Sequence, residues 1–162
     1  MSKLRIGMIG AGAICKRHLN AYQKNAQAEV TVICDLNEAL VKRRAEAFGI
    51  AKYCTDPMEV IQDPEIDAVN ILTPTFTHKD LVIAALRNGK HVLCEKPPAL
   101  NAAEAAEIEA EAKASGKLMQ YGFVVRFSRE AEFLKDYIAS GAMGCIYCDF
   151  GFIGVYFVTL RV

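Results

Sequence analysis

The sequence lacks the features that mark several large classes of protein. Its 19 Lys and Arg residues balance 19 Asp and Glu residues, so the chain carries no net charge. It has no long Lys/Arg block, and nucleic acid is therefore not expected as its main partner. It also has no solenoid-type repeat and no low-complexity linker, and its hydrophobic content of 52% excludes intrinsic disorder. A small molecule is the partner that these absences leave.

Long apolar segments are missing as well. The first residues run directly into a short apolar strand, without the apolar stretch of a secretory signal. Near the C-terminus, Asp149 and Arg161 enclose only 11 uncharged residues, which is too few to cross a bilayer. We therefore expect a cytoplasmic protein with no part in a membrane.

The six cysteines are expected to be thiols rather than disulfides, since a chain of this size with a core and no export signal does not need disulfides. They are Cys15, Cys34, Cys54, Cys94, Cys145 and Cys148. The last two form a C-x-x-C pair, but no second Cys or His pair completes a tetrahedral zinc site. No metal site is predicted.

Short β-branched runs alternate with helical stretches along most of the chain, a pattern typical of β-α-β units with a parallel sheet. The predicted strands cover about Leu4 to Ile9, Val30 to Cys34, Ala68 to Leu72, His91 to Cys94 and Leu118 to Gln120. The predicted helices cover about Ala13 to Lys24, Asn37 to Phe48, Pro57 to Gln62, Thr77 to Gly89, Asn101 to Ser115 and Ser128 to Ser140. The prediction is an α/β fold of Rossmann type, a doubly wound parallel sheet with helices on both faces.

The pattern changes near residue 121, and Cys145 to Val162 is predicted to be extended chain rich in Ile, Tyr, Phe and Val. We interpret it as the truncated start of a second sheet. This interpretation divides the chain into a dinucleotide-binding domain at 1–121 and an incomplete second domain at 122–162. An apolar strand with an open edge favours pairing, so a homo-oligomer built through Cys145 to Val162 is expected.

A glycine pattern follows the first predicted strand. Gly10 suits a tight strand-to-helix turn, and the missing side chain of Gly12 lets a pyrophosphate approach closely. The helix start near Ala13 and Ile14 then offers unpaired N–H groups to phosphates. The third position of the G-x-G-x-x-G pattern holds Cys15 instead of glycine, and such a pattern is weak evidence by itself.

Asp35 strengthens the indication of a dinucleotide site. It ends the second predicted strand, where a carboxylate can accept both hydroxyls of an adenosine ribose. Its charge repels a 2′-phosphate and no Arg follows in Leu36-Asn37, so NAD is favoured over NADP. The residues from Lys42 to Arg44 lie too far along the next helix to be predicted as phosphate ligands.

Two further loops follow predicted strands at the edge where open α/β sheets bind ligands. In the loop Thr73 to His78, Thr77 and His78 either cap the next helix or contact a cofactor. In the segment Glu95 to Pro98, Lys96 can hold a substrate hydroxyl and take its proton, provided that partial burial lowers its pKa. The alternative for Lys96 is a surface ion pair.

In order and spacing, these segments resemble the Gfo/Idh/MocA oxidoreductases, which include glucose-fructose oxidoreductase and inositol dehydrogenase. The resemblance covers about residues 3 to 148. It rests on Gly10 and Gly12, the loop Thr73 to His78, the stretch Gly89 to Pro97, and Gly122 with Arg126-Phe127. Its most telling part is the Glu-Lys-Pro segment after a G-K-H-V strand.

The resemblance implies an N-terminal Rossmann domain that holds NAD or NADP, and a C-terminal open-faced sheet that supplies substrate contacts and commonly dimerises. It implies oxidation of a sugar or polyol hydroxyl, or the reverse reduction, with Lys96 as the catalytic residue that binds and polarises the hydroxyl. Glu95 and Arg126 are implied near the nicotinamide end, and the Lys96–Pro97 bond is a candidate for cis geometry. The candidate cofactor-binding residues are Gly10, Gly12, Ala13, Ile14, Asp35, Thr73, Pro74, Thr77, His78, Glu95, Lys96 and Arg126.

One family feature is absent from the sequence. The substrate domain of the family normally carries a D-x-x-x-H segment, and none occurs after Lys96. A truncated or frameshifted reading frame, inactive by itself, is therefore expected. The alternative is a catalytically silent dinucleotide-binding module that self-associates through its last strand. A third interpretation, S-adenosylmethionine binding on the same turn, is disfavoured by the Glu-Lys-Pro segment.

Overall fold

The computed structural model describes residues 3–142, which fall into two compact units that divide between Gly122 and Phe123. The first unit is built on a six-stranded sheet in the order β3-β2-β1-β4-β5-β6, in which every neighbouring pair is parallel. The strands are β1 (Leu4–Ile9), β2 (Ala28–Cys34), β3 (Lys52–Cys54), β4 (Ala68–Ile71), β5 (His91–Cys94) and β6 (Met119–Tyr121). The predicted doubly wound α/β fold is confirmed.

Five helices connect these strands, and local signals in the sequence set their ends. They are α1 (Cys15–Gln23), α2 (Glu38–Phe48), α3 (Pro57–Gln62), α4 (His78–Arg87) and α5 (Ala102–Ser115). The side chains of Asn37, Asp56 and Asn101 accept a backbone N–H at the starts of α2, α3 and α5, as an N-cap does. Gly49 and Gly116 end α2 and α5 in the left-handed conformation.

Helices cover both faces of the sheet. On one face, strand residues pack against α1 and α2; on the other, they pack against α3, α4 and α5. The first cluster includes Met8, Ile33, Leu72, Cys15, Leu19, Val41 and Ala45. The second includes Ile9, Val69, Ile71, Val60, Ile61, Val82, Leu86 and Ile108. Since Met8 and Ile9 are neighbours in β1 and belong to different clusters, the central strand is buried on both sides, as its apolar run predicts.

Three details of the prediction were wrong. The short strand β3 was not predicted, because Lys52–Cys54 is only 3 residues long and mostly exposed. Ala13 and Ile14 form a turn, and α1 begins at Cys15 instead of Ala13. Thr77 stands at the start of α4, but its side chain makes no capping hydrogen bond.

The second unit, as far as it is described, contains a 3₁₀ turn at Val124–Phe127 and helix α6 (Arg129–Ala139). Ser128, where this helix was predicted to begin, caps α6, with its hydroxyl oxygen accepting the N–H of Ala131 at 3.2 Å. The predicted strand from Cys145 to Val162, and with it the C-x-x-C pair and the proposed oligomer contact, lies outside the described residues. Among residues 3–142, no helix is long and apolar enough to span a membrane.

Candidate functional site

The loops predicted to carry the site all leave the sheet at one edge. Gly10, Asp35 and Glu95 directly follow β1, β2 and β5, and Thr73 lies just beyond β4. The last residues of these strands are register partners: Ile9 with Cys34, Ile9 with Ile71, and Ile71 with Cys94. Three strand spacings therefore separate Cys34 from Cys94, or about 14 Å. The sheet brings the glycine loop, Asp35 and the Glu95-Lys96 segment to one edge.

Gly10 and Gly12 serve different purposes in the first loop. Gly10 has a φ of 106°, and a Cβ there would lie 2.8 Å from the backbone carbon and oxygen of Leu72. A Cβ at Gly12 would meet nothing within 4 Å. Gly10 is thus required by the fold, whereas Gly12 leaves open space at the start of α1. That open space, beside the N–H groups of a helix start, fits a dinucleotide diphosphate.

Asp35 joins the glycine loop to the start of α2. One carboxylate oxygen accepts the backbone N–H of Ala11 at 2.7 Å, and the other accepts that of Asn37 at 2.9 Å. Each carboxylate oxygen has a second lone pair, so the group can still accept the hydroxyls of a ribose. Asp35 therefore orders the loop as well as presenting a charge at the predicted ribose position.

Arg44 reaches the same loop from behind. Its side chain is buried, with 9% exposed, and its Nε and Nη2 donate to the carbonyl oxygen of Ala11 at 3.2 and 3.0 Å. Nη2 also donates to the carbonyl of Gly12 at 3.4 Å. Arg44 was not predicted as a phosphate ligand, because it lies too far along α2. In the structure its side chain binds the backbone of the glycine loop.

Replacing Arg44 with methionine should lower the free energy of unfolding by about 1 to 3 kcal/mol, because the buried Ala11 carbonyl loses its donor. Urea denaturation would measure the change. Arg43→Met is the matched control, since Arg43 is the preceding residue of α2 and is exposed; it should change the free energy by less than about 0.5 kcal/mol. Equal effects of the two substitutions would contradict the assignment.

His78 connects the loop after β4 with the segment after β5. The ring is 1% exposed, with Nδ1 2.9 Å from the carbonyl oxygen of Pro97 and Nε2 2.8 Å from that of Thr73. The Thr77 hydroxyl does not cap α4, because it donates to the Pro74 carbonyl at 2.8 Å and pairs with the Thr73 hydroxyl at 2.6 Å. Cofactor contact by this loop stays a prediction.

In the Glu95-Lys96 segment, the carboxylate of Glu95 is fixed by hydrogen bonds, whereas the amine of Lys96 is exposed. Glu95 Oε1 lies 3.0 Å from His18 Nε2, and Oε2 accepts the backbone N–H of Lys96 at 3.1 Å. The Lys96–Pro97 bond is cis, as expected. The Lys96 side chain is exposed and forms no ion pair with any residue in 3–142. Within these residues, Lys96 therefore does not form the surface ion pair that was the alternative. These residues also do not bury the amine, as a proton-accepting role requires.

The four described cysteines are free thiols, as predicted. Burial raises the pKa of Cys15 to about 11 and that of Cys94 to about 12, so both are protonated at neutral pH. Cys15 fills the third position of the glycine pattern and donates to Met8 Sδ at 3.3 Å. In the described part of the chain, no group of three or more His, Cys, Asp or Glu side chains is placed to hold a metal ion.

Arg126 belongs to the second unit, in the 3₁₀ turn Val124–Phe127, and is exposed. Its proximity to a nicotinamide stays a prediction.

Comparison with known proteins decides the family. A family model described as "Oxidoreductase family, NAD-binding Rossmann fold", GFO_IDH_MocA, matches residues 4–123. The chain belongs to the Gfo/Idh/MocA family. The NAD-binding character of this family agrees with the open space over Gly12 and the carboxylate of Asp35 at the same sheet edge.

Relatives of this Gfo/Idh/MocA chain act on polyols and sugars. Myo-inositol 2-dehydrogenase of Thermotoga maritima is 37% identical over 141 residues, which cover 87% of the chain and 42% of the relative. D-glucoside 3-dehydrogenase of Escherichia coli K12 is 33% identical, over 90% of the chain and 42% of the relative. The crystal structure of scyllo-inositol dehydrogenase from Lactobacillus casei, with bound NAD(H) and scyllo-inositol, superposes with a TM-score of 0.83. It is 26% identical, over 88% of the chain and 43% of that structure. The chain thus spans less than half the length of these relatives.

Proposed function

We propose that this chain is the cofactor-binding part of an NAD-dependent oxidoreductase that acts on a hydroxyl of a sugar or polyol. The observation that carries the proposal is the single sheet edge on which the open glycine loop, Asp35 and Lys96 stand. The inositol and glucoside dehydrogenases among the relatives support the substrate class.

The chain's own residues divide the work of holding the dinucleotide. The gap at Gly12 and the N–H groups at the start of α1 receive the diphosphate. Asp35 accepts the ribose hydroxyls, and its negative charge disfavours the 2′-phosphate of NADP. A dinucleotide held by these residues would supply the hydride-transfer chemistry of the reaction.

Lys96 is the residue we propose to handle the proton of the reacting hydroxyl. Its amine stands at the carboxyl end of β5 and is exposed, so it is free to meet a substrate. An acid-base group works only when it is held within hydrogen-bonding distance of the proton that it moves. The enclosure that holds it must therefore come from the cofactor and substrate, or from residues outside 3–142.

Titration of the purified chain with NADH, followed by fluorescence, tests the proposal. We expect saturable binding that Asp35→Ala weakens about tenfold or more, because the ribose loses a charged acceptor. Asp63→Ala is the matched control. Asp63 also accepts a backbone N–H, that of Glu65 at 2.8 Å. It precedes β4, however, and so lies at the amino ends of the strands, away from the proposed site.

Absence of saturable NADH binding, or equal affinity of the Asp35→Ala and wild-type chains, would contradict the cofactor site. Mixing NAD with a panel of polyols and aldoses then separates the two functional hypotheses. Turnover supports the dehydrogenase reaction in the chain itself, whereas binding without turnover supports the silent dinucleotide-binding module.

A further inference from the structure

We infer that His18 is a positioning residue for the nicotinamide half of the cofactor, an inference that rests on the proposed function. His18 lies on α1, the helix that begins just after the glycine loop. Its Nε2 is 3.0 Å from Glu95 Oε1, and only 16% of the His18 side chain and 13% of the Glu95 side chain are exposed. A hydrogen bond between a ring N–H and a carboxylate in so enclosed a place is stronger than one in water.

A buried amide fixes the orientation of the His18 ring. Asn70 lies in β4 and is fully buried, and its Nδ2 is 3.0 Å from His18 Nδ1. With Asn70 donating to Nδ1, a neutral imidazole carries its proton on Nε2. The proton then points at Glu95. Since the Glu95 carboxylate can only accept, the tautomer with Nε2–H fits both contacts, and His18 donates to the carboxylate.

Glu95 connects His18 to the segment that carries Lys96. Its second oxygen accepts the backbone N–H of Lys96 at 3.1 Å. On its other side stands Gly122, where an added Cβ would lie 3.2 Å from the carboxylate. His18, the Lys96 N–H and the Gly122 backbone together surround the carboxylate. His18 therefore acts through Glu95 on the start of the Lys96 segment.

The two ends of the site are far enough apart to be tested separately. Asp35 and the glycine loop serve the ADP half of the dinucleotide, whereas Glu95 follows Cys94, three strands away from Cys34 in the sheet. A ligand that ends at its diphosphate reaches the first group of residues without needing the second. Loss of His18 should therefore weaken binding of a complete dinucleotide and spare ADP.

The experiment compares NADH, by fluorescence titration, with ADP, by calorimetry, on the full chain. His18→Ala should weaken NADH binding about tenfold and change ADP binding less than twofold, since a hydrogen bond to a charged group is lost at one end only. His18→Gln should restore most of the NADH affinity, because its amide N–H₂ can donate to Glu95. Asn20→Ala, an exposed position on the same helix, is the control and should change neither.

Several results would overturn the inference. Equal losses of NADH and ADP affinity would show that His18 only supports the fold of α1, and unchanged affinity for both would show that it has no role. If His18→Gln does not recover NADH binding, the hydrogen bond that His18 donates to Glu95 is not the cause of the lost affinity. A wild-type chain that binds neither probe would overturn the proposed function itself. If His18→Ala does not fold, His18→Leu keeps the apolar volume and gives the same comparison.

Discussion

Replacing Gly10 with alanine is expected to destabilise the fold by about 3 kcal/mol or more, through backbone strain and a steric clash together. The new Cβ would stand 2.8 Å from two backbone atoms of Leu72, and no side-chain rotation can relieve that contact. The φ of 106° adds strain, because residues with a Cβ rarely adopt it. Urea denaturation followed by circular dichroism would measure the loss.

Gly49→Ala separates the two causes. Gly49 also has a positive φ, 68°, but a Cβ there would meet nothing within 4 Å. Its substitution should cost only about 1 to 2 kcal/mol, the strain of the left-handed conformation. If Gly10→Ala costs no more than Gly49→Ala, the approach of β1 to Leu72 is looser than the structure shows.

Gly12→Ala should do the reverse, leaving stability within about 0.5 kcal/mol of wild type and weakening NADH binding about 100-fold. The Cβ enters open space, so the fold has nothing to adjust. The same Cβ occupies the approach of the diphosphate and separates it from the N–H groups at the start of α1. Fluorescence titration with NADH and calorimetry with ADP would measure the change.

The ADP measurement distinguishes this substitution from that of His18. Gly12 serves the diphosphate, which both ligands contain, so NADH and ADP should weaken together. Retained ADP affinity in Gly12→Ala would mean that the diphosphate does not bind over this loop.

The sequence predicted most of the sheet because its central strands are short apolar runs buried on both faces. The strand β3 escaped prediction for the opposite reason. Lys52–Cys54 has no apolar pattern of its own, and it becomes a strand only by pairing with Val32 to Cys34. Such a strand depends on its neighbour more than on local preference.

The site residues also divide into those that local sequence predicts and those that depend on contacts with distant residues. Gly10, Gly12 and Asp35 were predictable because Gly10 and Asp35 directly follow strands and Gly12 lies two residues after Gly10, so their positions along the chain indicate a function. Arg44 and His18 act through contacts with residues distant in sequence, and no local pattern marks such contacts. Asn70 did leave a signal, since an amide within an otherwise apolar, fully buried strand needs a polar partner.

His78 has a mechanical consequence. One buried ring contacts the carbonyls of both Thr73 and Pro97, so neither loop can swing outward without losing its contact with His78. The loops after β4 and β5 are therefore attached to each other through one side chain, and opening either of them uncovers a ring that is now 1% exposed.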